Sequence, residues 1–101
     1  MKNRAQIETD LRELFEDQLR DIYWAEKALV KAMPDVVEKA ESQELIDELT
    51  DHMEITVQQV ARLESVFETI GVKAESEKCE AMEGLIEEAE DIIGPLQYDK
   101  L

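Results

Sequence analysis

Two long stretches of helical periodicity constrain the fold of this chain more than any other feature of its sequence. In the first stretch, apolar residues recur within about 40° of one line at roughly 100° per residue; they are Leu11, Phe15, Ile22, Leu29, Met33, Val36 and Ala40. The second stretch puts another set on one helix face: Leu45, Ile46, Leu49, Met53, Thr56, Val60, Leu63, Phe67 and Ile70. Only three glycines and two prolines occur in a chain that is 44% apolar, which predicts an all-α protein.

The ends of the two long helices follow from their capping and breaking residues. The first helix is predicted to begin after Thr9, a residue type that caps helix N-termini, and to run to about Ala40. Pro34 predicts either a kink or the start of a second segment. Ser42 is predicted to cap the second helix, which should stop at Gly71 because glycine readily takes a left-handed conformation there.

A third, shorter helix completes the predicted architecture. It should open at Ser76 and Glu77 and end at the Gly-Pro pair of residues 94 and 95. Two long helices joined by a tight connection form an antiparallel hairpin, and one short helix cannot cover both apolar stripes. We therefore expect a homodimer or higher homo-oligomer in which two hairpins make a four-helix bundle. Trp24, about 200° from the Ile22 line, should be exposed on the isolated hairpin, as an interface anchor or a lone surface tryptophan.

The charge of the chain narrows its range of partners. There are 26 acidic and 11 basic residues, a net charge of −15, which disfavours binding to nucleic acids and to anionic membranes. No apolar run approaches the length of a membrane span, and no signal-peptide pattern opens the sequence. The single cysteine, Cys79, excludes an internal disulfide and is interpreted as a small buried hydrophobe. We predict a cytoplasmic protein.

Glu26 stands at about 40° from the Ile22 line, within the apolar stripe. A carboxylate in this position must be neutralised, paired or bound. It could pair with Lys27, with Lys31 or with a base from a partner. It could equally bind a metal, because di-iron bundles project glutamates inward from facing helices, with histidine at helical spacing.

The second helix offers two further candidate metal ligands near the level of Glu26. His52 falls at the edge of the apolar stripe, where a structural, hydrogen-bonded role is the alternative. Glu54 falls at about 140° from the stripe, so it points away unless another subunit packs there, and it is otherwise a solvated glutamate.

Several segments carry a resemblance to a known family. They read LRELFEDQLRDIYWAEKALVKAMPDVVEKAES, HMEIT, RLESVFETIGVK and KCEAMEGLIEEAEDII, and they resemble the YciF-type ferritin-like proteins, a stress-associated bacterial family. The resemblance covers residues 9 to 93 and implies a single ferritin-like domain over residues 1–101, truncated relative to longer members in which two more long helices follow. It also implies a rubrerythrin-like di-iron architecture and a dimer.

The chain departs from the family pattern in its second helix and in its length. In the family, the segment that corresponds to HMEIT reads like HLEET and is followed by glutamine or histidine. Here Ile55 replaces the second glutamate of that segment, and Gln59 stands where some members carry histidine. Glu26 and Glu54 match family glutamates, and His52 matches a common family histidine. The chain therefore lacks the ligands for a complete di-iron site of its own, and a site shared between two subunits is the metal site that the resemblance still allows.

Two function classes follow from these residues. In the first, a dimer binds iron or another divalent metal between subunits at Glu26, and iron oxidation by oxygen would be the reaction. In the second, the chain is a metal-free, non-catalytic helical dimer or a fragment of a longer protein. Retention of Glu26 in the stripe favours the first class, and substitution by Ile55 favours the second.

Overall fold

The computed structural model consists of three helices, as the periodicity predicts, and describes residues 1–95. Helix α1 spans Arg4–Lys39, α2 spans Gln43–Thr69 and α3 spans Glu80–Ile93. The C-terminal segment LQYDKL, for which the sequence pattern makes no prediction, lies outside the described residues. Helices α1 and α2 form an antiparallel hairpin, and α3 packs against α1.

Helix α1 begins earlier than predicted. Its N-cap is Asn3, whose side chain accepts a hydrogen bond of 2.8 Å from the backbone N–H of Gln6. Thr9 is not the cap, because its hydroxyl donates to the carbonyl of Ala5 one turn back, inside the helix. Pro34 also lies within α1, which continues through it as one helix to Lys39, so no second segment starts there.

Helix α2 has the predicted ends. The Ser42 hydroxyl accepts a hydrogen bond from the N–H of Leu45 and caps the first turn. At the other end Gly71 has a φ of 73°, and the N–H of Val72 donates to the carbonyl of Phe67. This is the hydrogen-bond pattern of a Schellman motif, in which glycine avoids the cost of a Cβ in the left-handed region.

Helix α3 begins later than the predicted start at Ser76 and Glu77. The Glu77 N–H donates instead to the carbonyl of Arg20, which attaches the preceding loop to α1. The cap is Cys79, whose Sγ accepts from the N–H of Met82 at 3.4 Å, and this cysteine is buried as predicted. The helix ends at Ile93, before the Gly-Pro pair.

Two separate groups of buried side chains hold the helices together. One lies between α1 and α2 and contains Leu19, Tyr23 and Phe67. The other lies between α1 and α3 and contains Trp24 and Ile86, with small alanines of α1 between them. Trp24, predicted to be exposed on an isolated hairpin, is only 6% exposed in the folded chain, because α3 covers the side of α1 that the hairpin alone leaves bare. Both surface roles predicted for it, interface anchor and lone surface tryptophan, are therefore wrong.

A third side of the hairpin is not covered by any other part of residues 1–95, and we call it the open face. It carries Leu11, Phe15 and Ile22 of α1 and Ile55 of α2, each between 46% and 59% exposed. These α1 residues lie between the directions of α2 and α3 on the helix, so neither neighbour covers them. None of the helices in the described part of the chain combines the length and apolarity that a membrane crossing requires.

Candidate functional site

The open face contains a groove in which Glu26 lies. The groove has a volume of about 320 Å³, and its apolar lining comes from Ile22, Leu63 and Val66. Glu26, in the middle of α1, lines the groove because it lies one turn after Ile22 on the same side of the helix. Glu26 therefore lies on the same side of α1 as the apolar stripe, but the stripe residues Leu11, Phe15 and Ile22 are half-exposed and do not face the core.

The Glu26 carboxylate is only partly satisfied by its surroundings. Its Oε2 atom is buried and has no hydrogen-bond partner within residues 1–95. Burial raises the pKa of Glu26 above its ordinary value of 4.5, and the charge of His52 partly offsets that rise. Desolvation dominates because a charged oxygen that loses water without gaining a donor is destabilised.

The two lysines considered as partners do not neutralise Glu26. Lys27 places its ammonium 4.6 Å from the centre of the Tyr23 ring, on the other side of α1. Neither Lys27 nor Lys31 forms an ion pair with Glu26 in the described part of the chain. Pairing with Lys27 or Lys31 is therefore wrong as an explanation of this carboxylate.

His52 is the predicted ligand that the structure brings towards Glu26. It is exposed on α2, near enough to act electrostatically on the Glu26 carboxylate. Its backbone carbonyl accepts a 2.8 Å hydrogen bond from the hydroxyl of Thr56, a residue that is wholly buried against α1. Because Thr56 marks the side of α2 that faces α1, His52, four residues earlier, lies about 40° around the helix from that side.

Glu54 lies apart from these two side chains. It is exposed and falls about 160° around α2 from the buried Thr56, on the outer side of the hairpin. In residues 1–95 no group of three or more histidine, cysteine, aspartate or glutamate side chains is arranged to hold a metal ion. Within residues 1–95 the hairpin thus places two of the three predicted ligands, Glu26 and His52, on the same side, whereas Glu54 stays a prediction that the hairpin does not bring to the groove.

The groove also contains two polar side chains whose place depends on the hairpin register. Gln59 lines the groove beside Glu26, and Arg62 lines it one turn further along α2. Arg62 was missed as a site residue, although its three-residue spacing from Gln59 is the signal that puts both on one side of α2. The groove thus has a carboxylate on α1 and a guanidinium and an amide on α2.

Comparison with known proteins places this chain in a family. The family model described as "Domain of unknown function (DUF892)" matches residues 10–100. The chain is 36% identical over 84 residues to Protein YciF of Escherichia coli (strain K12), covering 82% of this chain and 51% of that protein. The chain belongs to this YciF-type family. The predicted resemblance is confirmed.

A solved structure supports the same assignment at the level of the fold. The protein described as "YcfI, a putative structural protein from Rhodopseudomonas palustris" is 41% identical and superposes with a TM-score of 0.77, over 79% of this chain and 51% of its own. The chain thus spans about half the length of the YciF-type relatives that it matches.

Proposed function

We propose that this chain is a ferritin-like half-bundle that binds a divalent cation, iron by preference, between two copies of itself. The observation that carries the proposal is the buried, unpartnered Oε2 of Glu26 in the groove of the open face. Burying a carboxylate oxygen without a donor is unfavourable by about 1–3 kcal/mol or more. A bound cation removes that cost, and a second copy supplies the donors that one chain lacks.

The number of donors is the reason for two copies. Glu26 and His52 of one chain make two ligands, whereas protein sites for divalent ions commonly use four or more. In a two-fold symmetric pair the same patch meets itself, which doubles the set to four. The half-exposed Ile22 and Ile55 flank the donors and would exclude water when two open faces meet. Glu54 remains a predicted additional ligand.

The chain's own residues would bind and orient the ion rather than carry out chemistry themselves. Iron, when bound, would supply oxygen-dependent redox chemistry. Glu26 would provide charged oxygen, the donor type that hard cations prefer, and His52 a neutral nitrogen. We propose that the chain has this role in the cytoplasm.

The second candidate function is a metal-free structural module. It is favoured by Ile55, which stands where the family resemblance implies a glutamate. The description of the solved relative as a putative structural protein points in the same direction. In this case the open face would serve assembly alone.

Thermal unfolding with and without added cation separates the two functions. Iron(II), or manganese(II) or cobalt(II) as surrogates, should stabilise the wild-type protein by about 2.7 kcal/mol at a hundredfold excess over its dissociation constant. Glu26→Ala should abolish this stabilisation, and His52→Ala and Glu54→Ala should reduce it.

The acidic surface requires a matched control, because 26 carboxylates will collect cations weakly. Glu13→Ala removes an exposed carboxylate of the same helix and should change nothing. Equilibrium dialysis should give one ion or one ion pair per two chains, in step with a doubled mass. If Glu26→Ala and Glu13→Ala respond to cations alike, the chain is the metal-free module.

A further inference from the structure

A second groove lies on the side of the hairpin opposite the Glu26 groove, and we call it the lysine groove. Its volume is about 330 Å³, and its floor is formed by Val30, Val57, Val60 and Ala61. Val57 is 50% exposed, so the floor is accessible. The groove shares no residue with the Glu26 groove, and it plays no part in the proposed cation site.

The rim of the lysine groove carries positive charge in an otherwise acidic molecule. Lys27 and Lys31 stand on its α1 side and account for two of only 11 basic residues. The carboxylate on its α2 side, Glu64, accepts a 2.8 Å hydrogen bond from the Tyr23 hydroxyl. The ring of Tyr23 in turn lies under the Lys27 ammonium, so the rim is ordered by contacts within the chain.

Helix α3 presents a surface of complementary character, which we call the outer stripe. Ala81, Leu85, Glu88 and Ile92 are all exposed and recur at helical spacing on the side of α3 next to its buried face. Leu85 is 61% and Ile92 85% exposed, and Glu88 lies between them. The helix carries six acidic residues and no basic one.

We propose that the lysine groove binds the outer stripe of α3 from a second copy of this chain. Leu85 and Ile92, about 10 Å apart along the helix, would cover the valines of the floor, and Glu88 would approach Lys31 on the rim. Local complementarity of this kind is needed because two copies with a charge of −15 each repel one another. An apolar strip that contains one carboxylate matches an apolar floor that has two ammonium groups on its α1 side, in apolar character and in charge.

The contact joins two different surfaces and is therefore heterologous. Each copy that offers its stripe still has a free groove, so the contact adds copies one after another unless the rotation closes a ring. Combined with pairing through the open face, it produces particles larger than a dimer. The contact does not depend on the cation, which allows the two proposals to be tested apart.

Sedimentation velocity of the intact chain over a wide concentration range provides the test. The measurement is made on the wild-type protein and on Phe15→Glu, which places a charge on the half-exposed open face and changes no residue of the lysine groove. In both backgrounds Lys31→Glu should weaken the remaining self-association by about tenfold, because it places like charges opposite each other. Glu88→Lys should do the same, and the double variant Lys31→Glu/Glu88→Lys should restore association.

Two charge-matched variants serve as controls. Lys73→Glu changes an 84% exposed side chain in the α2–α3 loop and has the same effect on net charge as Lys31→Glu. Glu87→Lys changes a residue roughly 130° around α3 from the outer stripe. Circular dichroism verifies that every variant is folded. Equal association of Lys31→Glu and Lys73→Glu, or a double variant that recovers nothing, overturns the proposal whatever happens at Glu26.

Discussion

Replacing Glu26 by glutamine should stabilise the cation-free protein at neutral pH. The substitution keeps the shape of the side chain and removes the charge that burial penalises. One of the two carboxylate oxygens is buried without a donor, and His52 offsets part of the cost. The amide of glutamine is also polar and also lacks a partner there, so only the charge-dependent part of the cost is recovered; we expect a gain of about 1 kcal/mol, or about 4–8 °C in melting temperature for a domain of this size.

The pH dependence of this gain identifies its cause. Because burial raises the pKa of Glu26 above 4.5, the unfolded chain releases its proton first as pH rises. The free energy of unfolding of the wild-type protein falls between the unfolded and the folded pKa and stays lower above both. The difference between Glu26→Gln and wild type should vanish below the unfolded value, where both side chains are neutral, and grow as pH rises.

Chemical denaturation in the presence of a chelator, at fixed protein concentration, measures this difference. Glu13→Gln, at an exposed position of the same helix, controls for the general effect of removing one negative charge from an acidic protein. The reasoning is refuted if Glu26→Gln and Glu13→Gln change stability equally, or if the gain from Glu26→Gln does not depend on pH.

Three further substitutions test how the three helices are capped and packed. Ser42→Ala removes the cap of α2 and should cost about 1 kcal/mol in thermal unfolding. Ile86→Ala, at a residue 5% exposed, should cost about 2–5 kcal/mol and shift Trp24 emission to the red as α3 loosens; unchanged emission would contradict the packing of α3. Tyr23→Phe removes the hydrogen bond to Glu64 and should cost about 1 kcal/mol or less. Because burial and Glu64 raise the pKa of Tyr23 above 10.0, the wild-type protein should lose stability as pH rises past 10.0, and Tyr23→Phe should reduce that loss.

The helical architecture could be predicted because periodicity and capping act locally. Ser42 and Gly71 fix the ends of α2 through hydrogen bonds to residues within one or two turns, and such patterns are visible in the sequence. The predicted start of α1 after Thr9 is wrong because a threonine hydroxyl can either cap a helix or donate to a carbonyl one turn back inside it. Asn3, closer to the N-terminus, was available as the cap and extends α1.

The features that the sequence did not predict depend on contacts between distant residues. The start of α3 is set by the hydrogen bond from Glu77 to Arg20, and the burial of Trp24 is set by the same docking of α3 on α1. A helical-wheel projection of α1 and α2 does not show which side of α1 the third helix covers. The position of Glu26 could be predicted, whereas its lack of a donor could not, because that depends on the side chains around the groove.

The division of the interior into two groups of side chains has a consequence for how the protein moves and folds. Tyr23 and Trp24 are neighbours in the chain, yet each belongs to a different group, so α1 is common to both. The hairpin can close from its connecting turn, whereas α3 must bring Ile86 to Trp24 across some sixty residues of chain, at a greater loop-closure cost. Helix α3 should accordingly form last and open first. Its amide protons should therefore exchange with solvent faster, through local opening of α3. The amide protons in the middle of α1 should exchange only through global unfolding.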